Sequence, residues 1–300
     1  MQIGIDLGAS KIEYVLLDNN NTEVVRKRIS TPDNYNDTLL LIINIVKDLE
    51  KKKNKKLILG ICHPGATDTT TGLIKNAHNS QWLNNKNIVK DLKKTLNNNI
   101  YSENDANCFS LSEAYDGSAS HYETVFGIIL GSGCGGGFVV NKKIITGSNG
   151  LGGEWSLNQM PETNNQNLRS EKKLDFSNRI EGYLSGKSIE KNYEIKFKKK
   201  LTAKEIFSNY RIKEKNSFDF INDYKNKLAR SLVVIITTID PDAIVFGGGL
   251  SNEIDFLDEI KEITSNLINE PNLKTVFLKP LYGDASGVRG AALLGRKKSI

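Results

Sequence analysis

Three hundred residues carry 41 Lys+Arg against 35 Asp+Glu, a formal charge of +6 with a pI near 9.0. A hydrophobic fraction of 38% and a mean hydropathy of −0.38 suit a globular chain of about two domains of roughly 150 residues, and exclude a disordered or membrane-embedded one. The basic balance invites a polyanion-binding reading, but 33 Lys and 33 Asn stand beside only 8 Arg. Arg is the usual bidentate reader of phosphates and base edges, so the excess reads as a chain-wide Lys/Asn bias with no nucleic-acid partner.

The N-terminus MQIGIDLGAS has no basic segment ahead of an apolar core, and no signal peptide is expected. The longest apolar runs, residues 39–46 and 231–239, fall short of the roughly 20 residues that span a bilayer, so no membrane partner is expected. Cys62, Cys108 and Cys134 form no C-x-x-C pair and read as reduced thiols of a cytoplasmic protein. His63, His78 and His121 have no metal-ligand spacing.

In chain order, residues 3–17 read as strand, tight glycine turn, strand. Leu39, Ile42, Ile43, Val46 and Leu49 recur at helical spacing and predict a helix over 37–49. A buried strand over 57–62 ends at the turn His63-Pro64-Gly65; a helix follows at 88–96 and a strand at 100–103. Residues 108–114 predict a helix. The opening theme then returns as a strand over 125–130, a glycine turn over 131–137 and a strand over 138–141. Late in the chain an apolar helix at 228–239 is broken by Asp240-Pro241-Asp242, and a strand at 243–246 runs into Gly247-Gly248-Gly249. The polar stretch 161–178 reads as a long loop, and the lysine runs 51–56 and 196–200 as solvated helix ends or loops. Two α/β halves are expected, residues 1–117 and 118–300, with the last helix packing back on the first half.

Residues 131–136 match G-x-G-x-x-G, but a strand follows where a dinucleotide fold needs a helix, and no P-loop pattern occurs. What remains is a pair of glycine hairpins, 6–11 and 131–137, whose tips let backbone N–H groups cradle an anion. Each alone could be an ordinary turn. Together with Gly247-Gly248-Gly249 they point to a polyphosphate.

The ordered set Gly4-Ile5-Asp6-Leu7-Gly8-Ala9-Ser10-Lys11, His63-Pro64-Gly65, Lys75-Asn76-Ala77, Trp82-Leu83-Asn84, Glu103-Asn104-Asp105-Ala106-Asn107-Cys108, Gly131 to Gly137, Gly153-Glu154-Trp155, Asp240-Pro241-Asp242 and the glycines from Gly247 resembles the ROK family of sugar kinases, within the actin-like ATPase superfamily. Gly283-Asp284 to Gly290-Ala291-Ala292 continues the match. The resemblance implies an α/β fold of two ribonuclease H-like domains with an interdomain cleft, and an ATP-dependent hexose kinase. It implies that Asp6, Gly8, Ser10 and Lys11 form the first phosphate motif, with Asp6 holding Mg²⁺ through water. Gly131, Ser132, Gly133 and Gly135 would form the second, and Gly247, Gly248 and Gly249 the adenosine motif. Asp105 would be the catalytic base, with a helix N-cap as its alternative role. Asn104, Glu154 and Glu181 would hold sugar hydroxyls, although the two glutamates could be surface acids; Gly65 and Asn79 would border the sugar.

The family's zinc pattern, G-E-x-G-H with a cysteine-rich loop, is missing. Leu157 stands in place of the histidine, and Lys172, Leu174 and Arg179 in place of the three cysteines, so no structural zinc is expected. The reading is therefore a zinc-free, Mg·ATP-dependent hexose kinase, fructokinase-like first, with N-acetylglucosamine or another hexose also fitting. Lys75-Asn76-Ala77 and Trp82-Leu83-Asn84 resemble the fructokinase branch. Tyr183-Leu184-Ser185-Gly186 and Ile145-Thr146-Gly147 resemble the N-acetylglucosamine kinase branch. A degenerate sugar-binding or regulatory protein is the alternative; because the first phosphate motif begins at Ile3, no DNA-binding domain is expected ahead of it. A cytoplasmic homodimer is implied by the resemblance alone.

Overall fold

A computed structural model describes residues 1–161 and 178–298. The first half runs β1 (Gln2–Leu7), β2 (Lys11–Leu17), β3 (Glu23–Ser30), α1 (Tyr35–Lys53), β4 (Ile58–His63), the short pair β5 (Ala66–Thr67) and β6 (Ile74–Lys75), α2 (Ile88–Lys93), β7 (Ile100–Asn104) and α3 (Asp105–Tyr115). Then follow β8 (Thr124–Leu130), β9 (Cys134–Val140), β10 (Lys143–Ile144), α4 (Glu181–Leu184), α5 (Gly186–Phe197), α6 (Ala203–Arg211) and α7 (Lys215–Ile239). The chain continues through β11 (Ala243–Gly247), α8 (Leu257–Ile268), β12 (Val276–Leu278) and α9 (Ser286–Leu293).

Two five-stranded sheets form, ordered β3-β2-β1-β4-β7 and β10-β9-β8-β11-β12. In the first, β1–β2–β3 is antiparallel and β1–β4–β7 parallel; in the second, β8–β11–β12 is parallel. The same strand order, occurring twice, is the mixed α/β architecture expected from the repeated strand–glycine–strand theme. The chain divides into two compact units: residues 1–121, 137–153 and 281–300, and residues 122–136 and 154–280.

In the first unit Ile3, Ile5 and Leu7 are buried with Ile42, Val46 and Leu49 of α1, while Val15, Leu17, Cys62, Cys108 and Leu111 pack with Val288, Ala291 and Ala292 of α9. Full burial of each large aliphatic side chain contributes about 1.5–3 kcal/mol. The α9 helix comes so close that a Cβ on Gly290 would stand 1.7 Å from the Cys108 carbonyl oxygen. In the second unit α7 buries Phe220, Ile221, Tyr224, Leu228, Leu232, Ile235 and Ile236 along one stripe. Tyr193 meets Phe220 edge-on at 5.2 Å between ring centroids.

Four elements differ from their sequence reading. The helix α3 starts at Asp105, not 108, because the Asn104 side chain caps it, accepting from the Ala106 and Asn107 N–H groups. The helix α7 starts at Lys215, where Glu214 caps the Asn216 and Ser217 N–H groups; its stripe is interrupted in sequence by Lys225, which is buried on Tyr210 and Glu259. The strand β9 starts at Cys134, so Gly135, Gly136 and Gly137 belong to a strand and not to the turn; a Cβ on Gly137 would lie 2.5 Å from Ser110 Oγ. The largely exposed β3 shows no strict apolar alternation, only Val25 and Ile29 of one face reaching the core, and is a strand because it pairs with β2. Among the described residues no helix is long and apolar enough to cross a membrane. Most of the 161–178 stretch, Lys172 and Leu174 included, lies outside the described residues.

Candidate active site

In the first unit the hairpin between β1 and β2 closes with the Gly8 N–H donating to the Lys11 carbonyl at 3.0 Å. Thr31 locks it from outside: its N–H donates to the Ser10 carbonyl at 3.1 Å, and its hydroxyl to the Gly8 carbonyl at 2.8 Å. Ser10 and Lys11 are exposed at the tip. Asp6, at the end of β1, accepts from Cys62 Sγ at 3.1 Å. Burial, opposed by the Cys62 bond and helped by the nearby Asp105 charge, pushes the Asp6 carboxyl up to about 6. Among the described residues no basic side chain is hydrogen-bonded to it. A carboxyl so destabilised in its ionised form, beside a second carboxyl and without a bonded cation, has the donor chemistry of a hard divalent ion such as Mg²⁺.

Asp105 is the first residue of α3. Its Oδ1 accepts from the Ala106 N–H at 2.8 Å and from the Asn104 amide at 2.9 Å. Surrounding protein raises the Asp105 pKa, against the pull of those two donors, although the side chain keeps an exposed face. The helix cap is Asn104, not Asp105. Asn104 was expected to hold a sugar hydroxyl, yet its amide is engaged at every position. Its oxygen accepts from Ala106 and Asn107, and its nitrogen donates to Asp105 and to the Gly65 carbonyl at 3.0 Å. In this arrangement Asn104 orients Asp105 and ties it to the 63–65 turn.

Gly65 sits in the left-handed region at φ +81°, and His63 beneath it is fully buried, with Nδ1 3.1 Å from the Pro64 carbonyl and Nε2 3.1 Å from Thr67 Oγ1. Burial lowers the His63 pKa, so the ring is a neutral support for the turn. Asn79 is exposed, and among the described residues no hydrogen bond joins it to Asn104 or Asp105.

In the second unit the 130–134 turn closes with the Gly131 N–H donating to the Gly133 carbonyl at 2.9 Å. Ser132 and Gly133 are exposed. Three contacts brace this turn: the Cys134 N–H donates to Glu181 Oε1 at 3.3 Å, the Gly186 N–H to the Gly131 carbonyl at 2.8 Å, and Trp155 Nε1 to the Gly135 carbonyl at 3.0 Å. Glu154 and Glu181 both act electrostatically on Cys134; with burial as the largest cause, they hold its thiol well above its ordinary range. After β11, Gly247 is buried, Gly248 turns at φ +83° against the Leu130 carbonyl, and Gly249 is exposed. The 131–134 turn, Glu154, Glu181 and the 247–249 turn thus gather at the end of β8. Leu157 is 39% exposed at the end of the short turn that follows Glu154, and Arg179 pairs through its backbone with Gln159.

Sequence reasoning missed Thr31, whose only signal was a hydroxyl just after a polar strand. It also missed Glu103, which accepts from the Asn104 N–H and Asn107 amide on one oxygen and from Thr146 Oγ1 at 3.0 Å on the other.

A family model described as "ROK family" matches residues 2–298. An N-acetyl-D-glucosamine kinase of Mannheimia succiniciproducens is 37% identical over 303 residues, covering 98% of this chain and 99% of that protein. Among solved structures, the ROK hexokinase of Thermus thermophilus superposes with a TM-score of 0.85 at 20% identity, covering 97% of this chain and 96% of that one. A ROK family glucokinase of Streptomyces griseus, in complex with glucose and AMPPNP, superposes with a TM-score of 0.76 at 21% identity, covering 99% of both chains. The chain belongs to the ROK family and has the actin-like ATPase type of fold. It is a carbohydrate kinase using ATP. The fructokinase leaning of the motif comparison gains no support, because the curated relatives are N-acetylglucosamine kinases.

Proposed function

We propose that this sugar kinase transfers the γ-phosphoryl group of ATP to a hydroxyl of N-acetylglucosamine, with Asp105 as general base. The observation that carries this is the Asp105 carboxyl itself, oriented by a fully engaged Asn104 and raised in pKa by its surroundings. The choice of sugar is supported by the relatives' activity. Fructose becomes the alternative substrate.

In this reading the attacking sugar O–H gives its proton to Asp105 as its oxygen bonds to phosphorus and the bond to ADP breaks. A base so placed contributes about 10²–10⁴-fold. The remaining catalysis is positioning and charge neutralisation. Backbone amides of the two glycine turns, with Ser10, Lys11 and Ser132, offer donors to the phosphates, and Gly247 to Gly249 leave room for adenosine. Mg²⁺, held through Asp6, would offset charge on the phosphates. Glu154 and Glu181 accept sugar hydroxyls, Glu181 with one oxygen already fixed by the Cys134 N–H. No thiolate or imidazole occupies the positions of Leu157, Lys172, Leu174 and Arg179, so the enzyme works without structural zinc.

An ADP-release assay across N-acetylglucosamine, N-acetylmannosamine, glucose, mannose and fructose tests the assignment. N-acetylglucosamine is expected to give the highest kcat/KM, about tenfold or more above fructose, a margin that a few hydroxyl and amide contacts supply. Equal or better turnover of fructose, or silence on every sugar with folded protein and Mg²⁺, would sink it.

A further inference from the structure

Outside the residues assigned to ATP and sugar, the first unit holds a wide-open surface cavity of ≈ 490 Å³ lined by Glu13, Arg26, Lys27, Arg28, Tyr282 and Asp284, with Ala285. Two of the chain's 8 arginines stand in it on the same face of β3, in register with β2: Arg28 opposite Glu13 and Arg26 opposite Val15. Glu13 is buried, 7% exposed, and holds both. One carboxylate oxygen accepts from Arg26 Nε, and the other from Arg28 Nε at 2.7 Å. Among the described residues no hydrogen bond engages the terminal nitrogens of either guanidinium. Asp284 acts electrostatically on Arg28 without bonding it.

The arrangement is a built one. A single buried carboxylate takes the Nε edge of two guanidiniums and so fixes both forks, while a Lys/Asn-biased chain would otherwise place loose ammonium groups on such a strand. The free Nη pairs of two fixed forks match the oxygens of a phosphate dianion, which arginine binds bidentately where lysine offers only a point charge. Across the cavity the Asp284 carboxylate repels a bare anion but accepts hydrogen bonds from hydroxyls. We propose that this cavity binds a phosphate monoester carried on a polyol, specifically a hexose phosphate. The choice of hexose rests on the kinase reading, under which a hexose phosphate is the product; the anion site stands without it.

Titration calorimetry on the full chain, saturated with Mg·AMPPNP and N-acetylglucosamine to fill the other sites, tests this with three probes: glucose 6-phosphate, inorganic phosphate and AMP. Glucose 6-phosphate is expected to bind about tenfold tighter than either of the others, a difference of about 1.4 kcal/mol. Arg28→Lys, which keeps the charge and removes the fork, is expected to weaken it about tenfold. Asp284→Asn should bring glucose 6-phosphate and inorganic phosphate to within about threefold of each other. Melting curves confirm that each variant is folded. Absence of binding up to millimolar probe, or affinity unchanged in Arg28→Lys, overturns the site; tighter binding of AMP or inorganic phosphate overturns the hexose assignment. If AMPPNP fails to bind at all, the kinase reading fails separately, and the Arg28→Lys comparison is still read on the unsaturated protein.

Discussion

The two glycine turns look alike in sequence but are held by different means. The first, after β1, is clasped by a neutral hydroxyl, Thr31, and leaves its one acid, Asp6, destabilised by burial and by the Asp105 charge. The second, after β8, is clasped by an acid, Glu181, which spends its charge on the Cys134 N–H. A backbone cradle for phosphate needs its amides pointing outward, so something else must hold its carbonyls and inner N–H groups. In the first turn that support is separate from the Asp6 carboxyl, to which the proposed function assigns a cation. In the second, the brace is the same carboxylate that the proposed function assigns to the sugar.

The sharpest break in this comparison is at the acids of the first unit. Asp105→Asn is expected to lower kcat about 10²–10⁴-fold while the Kd for AMPPNP by calorimetry stays within about threefold, since a base acts on the transferring proton and not on nucleotide binding. Retained turnover would remove Asp105 from the chemistry. Asp6→Asn is expected to lower kcat about 10²-fold, as loss of a charge-stabilising group does, but to make the ligand-free protein more stable at neutral pH. The sign follows from the raised pKa. Wild-type stability owed to the neutral Asp6 carboxyl is fully present below its ordinary value of 3.8 and is lost as pH rises through about 6. Asn carries no such loss, so the melting temperatures of the two proteins should coincide below about pH 4, diverge between pH 4 and 6, and differ by a constant margin above that. Coincidence at all pH values would show that Asp6 is not destabilised.

At the second turn, Glu181→Ala should cost about 1–2 kcal/mol of stability by chemical denaturation and raise KM for both ATP and sugar, because the Cys134 N–H loses its acceptor. Glu181→Gln keeps that acceptor and should restore stability and the KM for ATP but not for sugar. Restoration of both would make the glutamate a brace only. The smallest effect is expected at Thr31→Val, which removes one hydroxyl–carbonyl bond worth about 1 kcal/mol and should raise only the KM for ATP.

Much of the fold was legible because its signals are local. The apolar spacing of Ile42, Val46 and Leu49 predicted α1, and the run ending at Cys62 predicted β4. Strand β3 was not legible, since Lys27 interrupts the Val25 and Ile29 face, Arg26 and Arg28 stand on the other, and its pairing with β2 is what holds it extended. The residues of the candidate site were legible as motifs, whereas the hydrogen bonds that occupy them were not. Asn104 reads as a ligand until its amide is seen to be engaged four times within the protein.

By itself the sequence determined that this chain repeats a strand–glycine–strand unit, that its acids stand at the ends of strands, and that it lacks the thiol and imidazole ligands of its family's zinc pattern. These are matters of residue type and spacing. The tertiary structure alone decided what holds Asp105, what braces each glycine turn, and that Glu13 locks two arginines of β3 into one cavity. Hydrogen bonds between residues 23 and 47 positions apart, such as Thr31 to Gly8 and Cys134 to Glu181, depend on how strands pair and helices dock, and no local spacing encodes them.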